Sequence, residues 1–288
     1  MNVHQKEGLN VVESIIQEVT EKLSSLPFVE AVVLGGSRAR GNHLPDSDID
    51  IGIYYDPESF DLDALNPLAT ALDDGHRSNL VVPPGAWGEW VNGGGWLIIK
   101  GYHVDLILRD MKRVEKIMDE TGQGIVTANY QTGHPHGYIS AMYRGELAIS
   151  QILYAKSNRF VKLKKQAEIY PDALKESMIR FFLFEAGFSL EFARANAKTG
   201  DKYYVAGQIF RAVSCLNQVL FALNRQYCIN EKKAVELVET FEYKPQNYRL
   251  KVNRIFEALG TSLPKCCDKA EQLYHEVKQT AGHATEGE

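Results

Sequence analysis

Three aspartates in the first half of the chain are candidate metal ligands. Asp48 and Asp50 stand two residues apart in segment 47–55, whose alternation of apolar and polar residues predicts a β-strand with both carboxylates on one face. Asp105 lies in a second predicted strand, 102–110. Like charges this close repel unless a cation lies between them, and carboxylate oxygens suit Mg²⁺, which also binds water and phosphate. The pattern predicts a site for one or two Mg²⁺ ions.

A glycine turn precedes the first of these strands. Segment 29–36 is short, rich in valine and ends in two glycines, which predicts a buried strand that runs into a tight turn. Backbone N–H groups can approach a phosphate closely at such a turn, and a helix beginning at the next residue adds partial positive charge. A serine hydroxyl and two arginines follow; for the arginines, a surface position or a structural ion pair stays an alternative. The predicted phosphate-binding residues are Gly35, Gly36, Ser37, Arg38 and Arg40.

These motifs carry a family resemblance. Gly36-Ser37, followed after eleven residues by Asp48-Ile49-Asp50, resembles the signature of the DNA polymerase β-type nucleotidyltransferase superfamily. Arg40-Gly41 inside it is similar to the variant in small bacterial nucleotidyltransferases and aminoglycoside adenylyltransferases. The resemblance extends through Val104-Asp105-Leu106 and covers about residues 9–120. It implies that Asp48 and Asp50 bind Mg²⁺ and that Asp105 completes the metal site.

The resemblance also implies an activity. A nucleoside monophosphate, by expectation AMP, would move from Mg²⁺-bound ATP or another NTP to a hydroxyl of a small molecule, with release of pyrophosphate. Asp105 and Glu146 are the expected catalytic residues. Glu146 is included because some aminoglycoside nucleotidyltransferases use a glutamate base from a second domain, and its alternative role is that of a helix-surface residue. The chain is thus expected to be an adenylyltransferase-like enzyme.

Other functions of the same superfamily stay open. The nucleotide could be transferred to a protein or to RNA, although the sequence has no recognisable RNA-binding module and we expect no nucleic-acid partner. A third alternative is a non-catalytic, antitoxin-like nucleotide-binding protein. A fused toxin-type helical module is disfavoured, because neither His275 nor His283 follows an arginine at the spacing of that class. The acceptor, the preferred NTP and the oligomeric state are not indicated by any motif.

The distribution of charge suggests the kind of acceptor. The net charge is −5, but residues 1–150 hold 21 acidic and 11 basic residues, whereas the remainder holds 16 acidic and 21 basic. The balance excludes a uniformly basic nucleic-acid coat protein. An acidic catalytic half favours a cationic acceptor, such as an aminoglycoside-type antibiotic, and hence a role in antibiotic resistance. A basic cluster at 156–165 is either a solvated helix face or a lip that steers polyphosphate.

The chain is predicted to have an α+β fold with two domains. A mixed β-sheet flanked by helices would form a nucleotidyltransferase domain over 1–135, with two strands at 96–100 and 102–110 forming a hairpin. After about residue 135 the pattern becomes helical and predicts an all-helical bundle over 136–280 on the substrate side. Residues 281–288 are predicted to form a polar tail.

The aromatic residues have competing interpretations. Three tryptophans around a run of glycines could line a nucleobase pocket or cover the small sheet: Trp87, Trp90 and Trp96. Five phenylalanines at helical spacing are predicted to lie in the core: Phe181, Phe182, Phe184, Phe188 and Phe192.

The cysteines and histidines do not predict a zinc site. The four cysteines lack metal-ligand spacing, and we expect reduced thiols in a cytoplasmic protein. No apolar stretch approaches the ~18 residues that span a bilayer, so no membrane partner is expected. His134 and His136 flank Pro135, but no Cys or His stands at a suitable spacing to join them. The pattern therefore favours a linker, or a loop that shapes a cleft, over a metal pair.

Overall fold

The computed structural model describes residues 3–41 and 43–286 and divides them into two compact units. The chain passes between the units more than once, and the single domain boundary near residue 135 stays a prediction. Unit 1 comprises the described residues up to Asp119 together with 129–133 and 143–169; unit 2 comprises 120–128, 134–142 and the described residues from Tyr170 onward.

Seven strands are present among the described residues. They are β1 (Val29–Leu34), β2 (Ile49–Tyr55), β3 (Gly93–Ile99), β4 (Tyr102–Asp110), β5 (Ala128–Asn129), β6 (Tyr138–Ile139) and β7 (Gln151–Ala155). Five of them form the sheet of unit 1 in the order β3-β4-β2-β1-β7. β2 and β4 pair in parallel and the other neighbours are antiparallel, so the sheet is mixed.

Eleven helices are present among the described residues. They are α1 (Val3–Ser24), α2 (Gly36–Arg40), α3 (Leu62–Leu72), α4 (Met111–Gly122), α5 (Ala141–Ile149), α6 (Asn158–Glu168), α7 (Asp172–Ala197), α8 (Lys202–Leu223), α9 (Ala234–Val238), α10 (Tyr248–Thr261) and α11 (Leu263–Glu286). The α+β class, with a mixed sheet flanked by helices and a helical C-terminal region, is confirmed.

The core of unit 1 lies on one face of the sheet. Ile49, Ile51 and Ile53 of β2 are fully buried there, as the alternation of the sequence predicts. Apolar residues of α1 and α3 close the same core, with Ile15 and Leu65 fully buried. Burial of each of these apolar side chains contributes about 2 kcal/mol to the stability of the folded state. Because this face is filled, the carboxylate of Asp50, at an even-numbered position of β2, must face the opposite side.

Helix α6 covers the far end of that opposite face. The ring of Tyr54, four residues beyond Asp50, packs edge-on against Phe160 of α6 with 4.7 Å between ring centroids. Tyr54 is paired with Arg109 across the β2–β4 ladder, and both residues are buried. The sheet face therefore has one end closed by aromatic and charged contacts and another that carries the carboxylates.

Strand β7 was not predicted. Segment 136–280 was expected to be all-helical, but Gln151–Ala155 forms an edge strand that pairs antiparallel with β1. Five residues between two helices are too short to show a period in the sequence. Helices α5 and α6, on either side of β7, belong mainly to unit 1. Unit 1 thus extends to residue 169.

Unit 2 contains helices α7 to α11, and the structure bears on two predictions there. Residues 281–286 of the predicted polar tail continue α11, and 287–288 lie outside the described residues. Of the five phenylalanines, Phe182 is fully buried, whereas the others expose between 41% and 71% of their surface. The core prediction is wrong for these four because smaller residues form the buried stripe of α7: Ala186, Ser189, Leu190 and Ala193.

Helix α8 is the one described helix that meets the length and apolarity needed to cross a membrane. Of the window that meets this test, 72% is buried inside the protein. The core helix of a folded domain has the same composition, so this finding is weak evidence for a membrane span.

The position of β7 yields a prediction about truncation. A chain of residues 1–169 retains every strand of the main sheet, whereas a chain of residues 1–135 loses β7 and leaves the edge of β1 unpaired. We expect the longer fragment to give a cooperative thermal unfolding transition by circular dichroism and the shorter one to aggregate. Equal cooperativity of the two fragments would contradict the assignment of β7 to unit 1.

Candidate active site

The glycine turn brings the backbone directly against a carboxylate. β1 ends at Leu34, and Gly36 begins α2 with a φ of +59°, a conformation that glycine adopts without strain. A Cβ placed on Gly36 would collide with the carboxylate of Asp50. The Gly35 N–H also donates to the Asp50 carbonyl at 2.8 Å. Glycine is therefore required at position 36 both for the turn and for the approach to Asp50.

The strand pairing aligns the acidic residues in a row across the sheet. Asp50 of β2 pairs with Asp105 of β4 in the parallel ladder, and Asp105 pairs in turn with Trp96 of β3. Neighbouring strands lie about 4.8 Å apart, so paired residues on one face have adjacent side chains. Asp48 precedes β2 and is exposed at the same end. The structure thus brings together the three aspartates that the sequence predicts as metal ligands.

Burial and mutual repulsion both favour the protonated forms of two carboxylates in this group. Burial, followed by the charges of Asp105, Asp48 and Glu146, raises the pKa of Asp50 to about 6. Burial and the charge of Asp48 also raise the pKa of Asp105. Carboxylates that resist ionisation in one another's presence form a site that a divalent cation would stabilise. The donor set, oxygen ligands only, fits Mg²⁺.

Arg38 holds the loop that carries Asp48. Its side chain is only 7% exposed, and its Nε donates to the carbonyl oxygens of Ser47 and Asp48, each at 3.1 Å. Nη2 donates to the Pro45 carbonyl at 3.3 Å. The positive charge of Arg38 also opposes the rise in the pKa of Asp50. This geometry makes Arg38 a positioning residue of the loop, and its predicted contact with phosphate stays a prediction.

Ser37 and Arg40 lie in the same short helix. Ser37 is the second residue of α2 and is half-buried, and Arg40 is its last residue. The N–H groups in the first turn of a helix have no partner within the helix, and the predicted contact of α2 with phosphate stays a prediction.

Glu146 lies in unit 1, not in the second domain from which the sequence analysis derived it. It is on α5, and its Oε2 accepts hydrogen bonds from Nε and Nη2 of Arg109 at 2.9 and 2.8 Å. Arg109 is 5% exposed and its guanidinium lies over the Tyr143 ring, 5.1 Å from the centroid. The charge of Glu146 still contributes to the raised pKa of Asp50, which locates it near the carboxylate row.

Arg109 was the main residue that the sequence analysis missed as part of the site. It follows Asp105 by four positions in β4 and shares its face of the sheet. Its Nη1 donates to the carbonyl oxygens of Val91 and Leu108, so it also anchors the segment before β3. The alternation along β4 contained this signal, but an arginine at the end of a strand is ordinary without knowledge of Glu146.

The tryptophans are divided between two structural roles. Trp87 and Trp96 stack with 4.7 Å between ring centroids and an interplanar angle of 20°, and Trp96 remains 62% exposed. Trp90 packs edge-on against Tyr143 and lies beneath the guanidinium of Arg113. Of the three tryptophans, Trp96 is the one whose exposed ring lies beside Asp105. It is therefore the remaining candidate to line a nucleobase pocket.

Comparison with known protein families finds a match for residues in the first half of the chain. A family model described as nucleotidyltransferase domain matches residues 12–125. This match agrees with the resemblance of the sequence motifs to the DNA polymerase β-type nucleotidyltransferase superfamily. The matched region contains Gly36, Asp48, Asp50 and Asp105. Domains of this superfamily transfer nucleoside monophosphates and typically use an NTP with a divalent metal ion.

The remaining comparisons add little about function. Residues 143–232 match a family described as domain of unknown function (DUF4037). The crystal structure of a nucleotidyltransferase-like protein from Exiguobacterium sibiricum 255-15 is similar, with 11% sequence identity, a TM-score of 0.47 and coverage of 95% of this chain and 78% of that chain. No curated protein matches the sequence.

Two glycines that flank α2 provide a matched pair of variants. Gly36 and Gly41 both have positive φ, +59° and +73°, but a Cβ at Gly41 would meet no atom within 4 Å. We expect Gly36→Ala and Gly41→Ala each to lower stability by about 1 kcal/mol through backbone strain. Only Gly36→Ala displaces Asp50, so it alone should weaken Mg²⁺-dependent NTP binding, by more than about tenfold in calorimetry. Equal losses of binding in both variants would contradict the contact.

The pKa of Asp50 predicts how stability depends on pH when no metal is present. Because this pKa is about 6 in the folded state and 3.8 in a model peptide, the folded state holds the proton more tightly and loses stability as the pH rises between these values. Above pH 6 the loss approaches about 3 kcal/mol.

Asp50→Asn removes the carboxylate charge whose burial and repulsion by neighbouring carboxylates raise this pKa. In EDTA at pH 7.5 we expect a higher unfolding temperature than for the wild type, with the gain fading toward pH 4. Asp46→Asn, which removes an exposed charge from the neighbouring loop, serves as the control and should shift neither curve. Differential scanning calorimetry across this pH range makes the measurement, and a gain that is independent of pH would refute the assigned cause.

Proposed function

We propose that the protein transfers a nucleoside monophosphate, AMP in particular, from an Mg²⁺-bound NTP to a hydroxyl group of a small molecule. The observation that carries the proposal is the pairing of Asp50 with Asp105 across parallel strands, directly beside the Gly36 turn. It combines two features that such a transfer needs, carboxylates for a cation and backbone N–H groups for phosphate.

The carboxylates and the residues of α2 have distinct roles in this proposal. Asp48 and Asp50 would hold the Mg²⁺ ion, which when bound would neutralise charge on the triphosphate. The N–H groups and the Ser37 hydroxyl at the start of α2 donate to the distal phosphate oxygens. Arg38 keeps Asp48 in position through the loop carbonyls. Arg40, one helical turn from Ser37, is a second candidate for phosphate contact.

Asp105 is the proposed general base. It accepts the proton of the acceptor hydroxyl while that oxygen forms a bond to the α-phosphorus; the bond between this phosphorus and the bridging oxygen breaks, and pyrophosphate leaves. The raised pKa of Asp105 brings its basicity closer to neutral pH. Glu146 is a second candidate base, but one of its oxygens is occupied by Arg109. We therefore assign it a smaller part, through its charge.

A cationic small molecule is the favoured acceptor. The row of carboxylates produces a negative potential on an open sheet face, which attracts ammonium-bearing molecules such as aminoglycosides. Activity on such an antibiotic would make the protein a resistance factor. Transfer to a protein or to RNA is the alternative that the following experiment distinguishes.

The experiment uses α-labelled NTPs. The purified chain is incubated with Mg²⁺, each NTP in turn and a panel of aminoglycosides and other polyhydroxylated amines, while pyrophosphate release and label transfer are followed. We expect transfer from ATP to a small molecule, lowered by more than about 1,000-fold in Asp48→Asn and Asp105→Asn and by about tenfold in Glu146→Gln.

Exposed acidic residues outside the row provide the control, and Asp63→Asn should leave the rate unchanged. Label on macromolecules of a cell lysate, with no small-molecule product, would replace the proposed acceptor by protein or RNA. Absence of both NTP binding and transfer would refute the enzyme proposal.

A further inference from the structure

A second group of potential metal ligands lies in unit 2, separate in sequence and in chemistry from the carboxylate row. His136, Glu185 of α7 and Cys215 of α8 place their ligand atoms within 4.8 Å of one another. The Sγ of Cys215 lies 3.4 Å from Nε2 of His136. Cys215 is fully buried, and burial raises the pKa of its thiol.

We propose that this group, His136 with Glu185 and Cys215, binds one Zn²⁺ ion. With a Zn–S bond of about 2.3 Å and a Zn–N bond of about 2.0 Å, tetrahedral coordination requires a sulfur-to-nitrogen distance of about 3.5 Å, which the pair already has. Thiolate, imidazole and carboxylate together form a donor set typical of zinc. One thiolate and one carboxylate balance the charge of the ion, and a water molecule completes four ligands.

An unsatisfied carboxylate oxygen supports the proposal. Oε1 of Glu185 pairs with the guanidinium of Arg211, one turn before Cys215 on α8. Oε2 is buried without a nitrogen or oxygen donor, and the carboxylate contacts only a weak donor, the Cys215 thiol, on the side of the proposed site, which is costly for a charged group. A metal ion between Glu185, Cys215 and His136 would satisfy this oxygen.

The loop that carries His136 is held from outside the group. Oε1 of Glu231 accepts a hydrogen bond from the His136 backbone N–H at 3.0 Å, and Oε2 of the same residue lies 3.3 Å from Nδ1 of His134. The His136 ring packs against Phe182 of α7, with 5.9 Å between centroids. Glu231 is thus a positioning residue of the loop, and Arg211 is a positioning residue of the Glu185 carboxylate.

Binding of the ion has a defined proton balance. Zn²⁺ replaces the proton of the Cys215 thiol, forming a Zn–S bond and releasing that proton to solvent. The bound ion would join α7, α8 and the loop before β6 at a single point. The proposal is independent of nucleotidyl transfer, because it uses none of the residues of the carboxylate row.

The test measures metal binding by the full-length chain. Purified protein is analysed for zinc by plasma mass spectrometry, then stripped with chelator and titrated with Co²⁺, whose complexes with thiolates absorb in the near ultraviolet. We expect about one zinc per chain and a charge-transfer band that saturates at about one equivalent of Co²⁺. Cys215→Ser and His136→Gln should abolish the band. Glu231→Ala, which removes the acceptor of the His136 backbone N–H, should weaken binding by about tenfold or more.

Two controls identify the source of the signal. Cys228→Ser alters another buried thiol and should keep the band, and Asp48→Asn should also keep it because the carboxylate row contains no sulfur. If Cys215→Ser fails to fold, Glu185→Gln tests the same site through a shifted spectrum and weaker affinity. A wild-type chain without zinc and without a charge-transfer band, or a band that survives in Cys215→Ser and His136→Gln, would overturn the proposal.

Discussion

The architecture of unit 1 depends on holding several negative charges together at one end of a sheet. Asp50 and Asp105 are paired across adjacent strands, and burial, followed by the charges of the neighbouring carboxylates, raises the pKa of Asp50 to about 6. The core on the opposite face supplies the stability that opposes this repulsion, because it fixes the direction in which the side chains of β2 point. A shift of one residue in register would bury the carboxylates and expose the isoleucines, so the site and the core enforce each other.

Two buried arginines lie near these carboxylates and bind mainly to other groups. Arg38 and Arg109 are both buried, and each uses its guanidinium on backbone carbonyls, Arg38 in the loop of Asp48 and Arg109 before β3. Arg109 also holds Glu146, so that one of the nearby carboxylates has its counterion within the protein. Arg38 and His103 lower the pKa values of Asp50 and Asp105, but burial and the neighbouring carboxylates outweigh them. The residues left short of positive charge are those that would need a metal ion.

The alternation of β2 and the Gly36 turn could be predicted from the sequence because their signals are local. The period of two places the isoleucines and aspartates on opposite faces, and the structure has this arrangement. Contacts between distant residues gave no such signal: β7 is too short to show a period, and the Arg109–Glu146 pair requires knowledge of the sheet and of α5 together. The exposed phenylalanines of α7 show the limit of helical spacing, since a second, smaller-residue stripe on the same helix is the one that packs.

The two clusters differ in donor chemistry, and this difference would keep their ions apart. The carboxylate row offers oxygen atoms only, which favour a hard cation that retains water and can share phosphate ligands. The group around Cys215 offers sulfur and nitrogen in a buried setting, where a hydrated Mg²⁺ ion would have to give up water for ligands that it binds poorly. Zinc would be attracted to both, but the thiolate gives the second cluster the advantage. A chain with both sites would therefore hold zinc at the Cys215 cluster and leave the carboxylate row for the Mg²⁺ ion that would bind with the nucleotide.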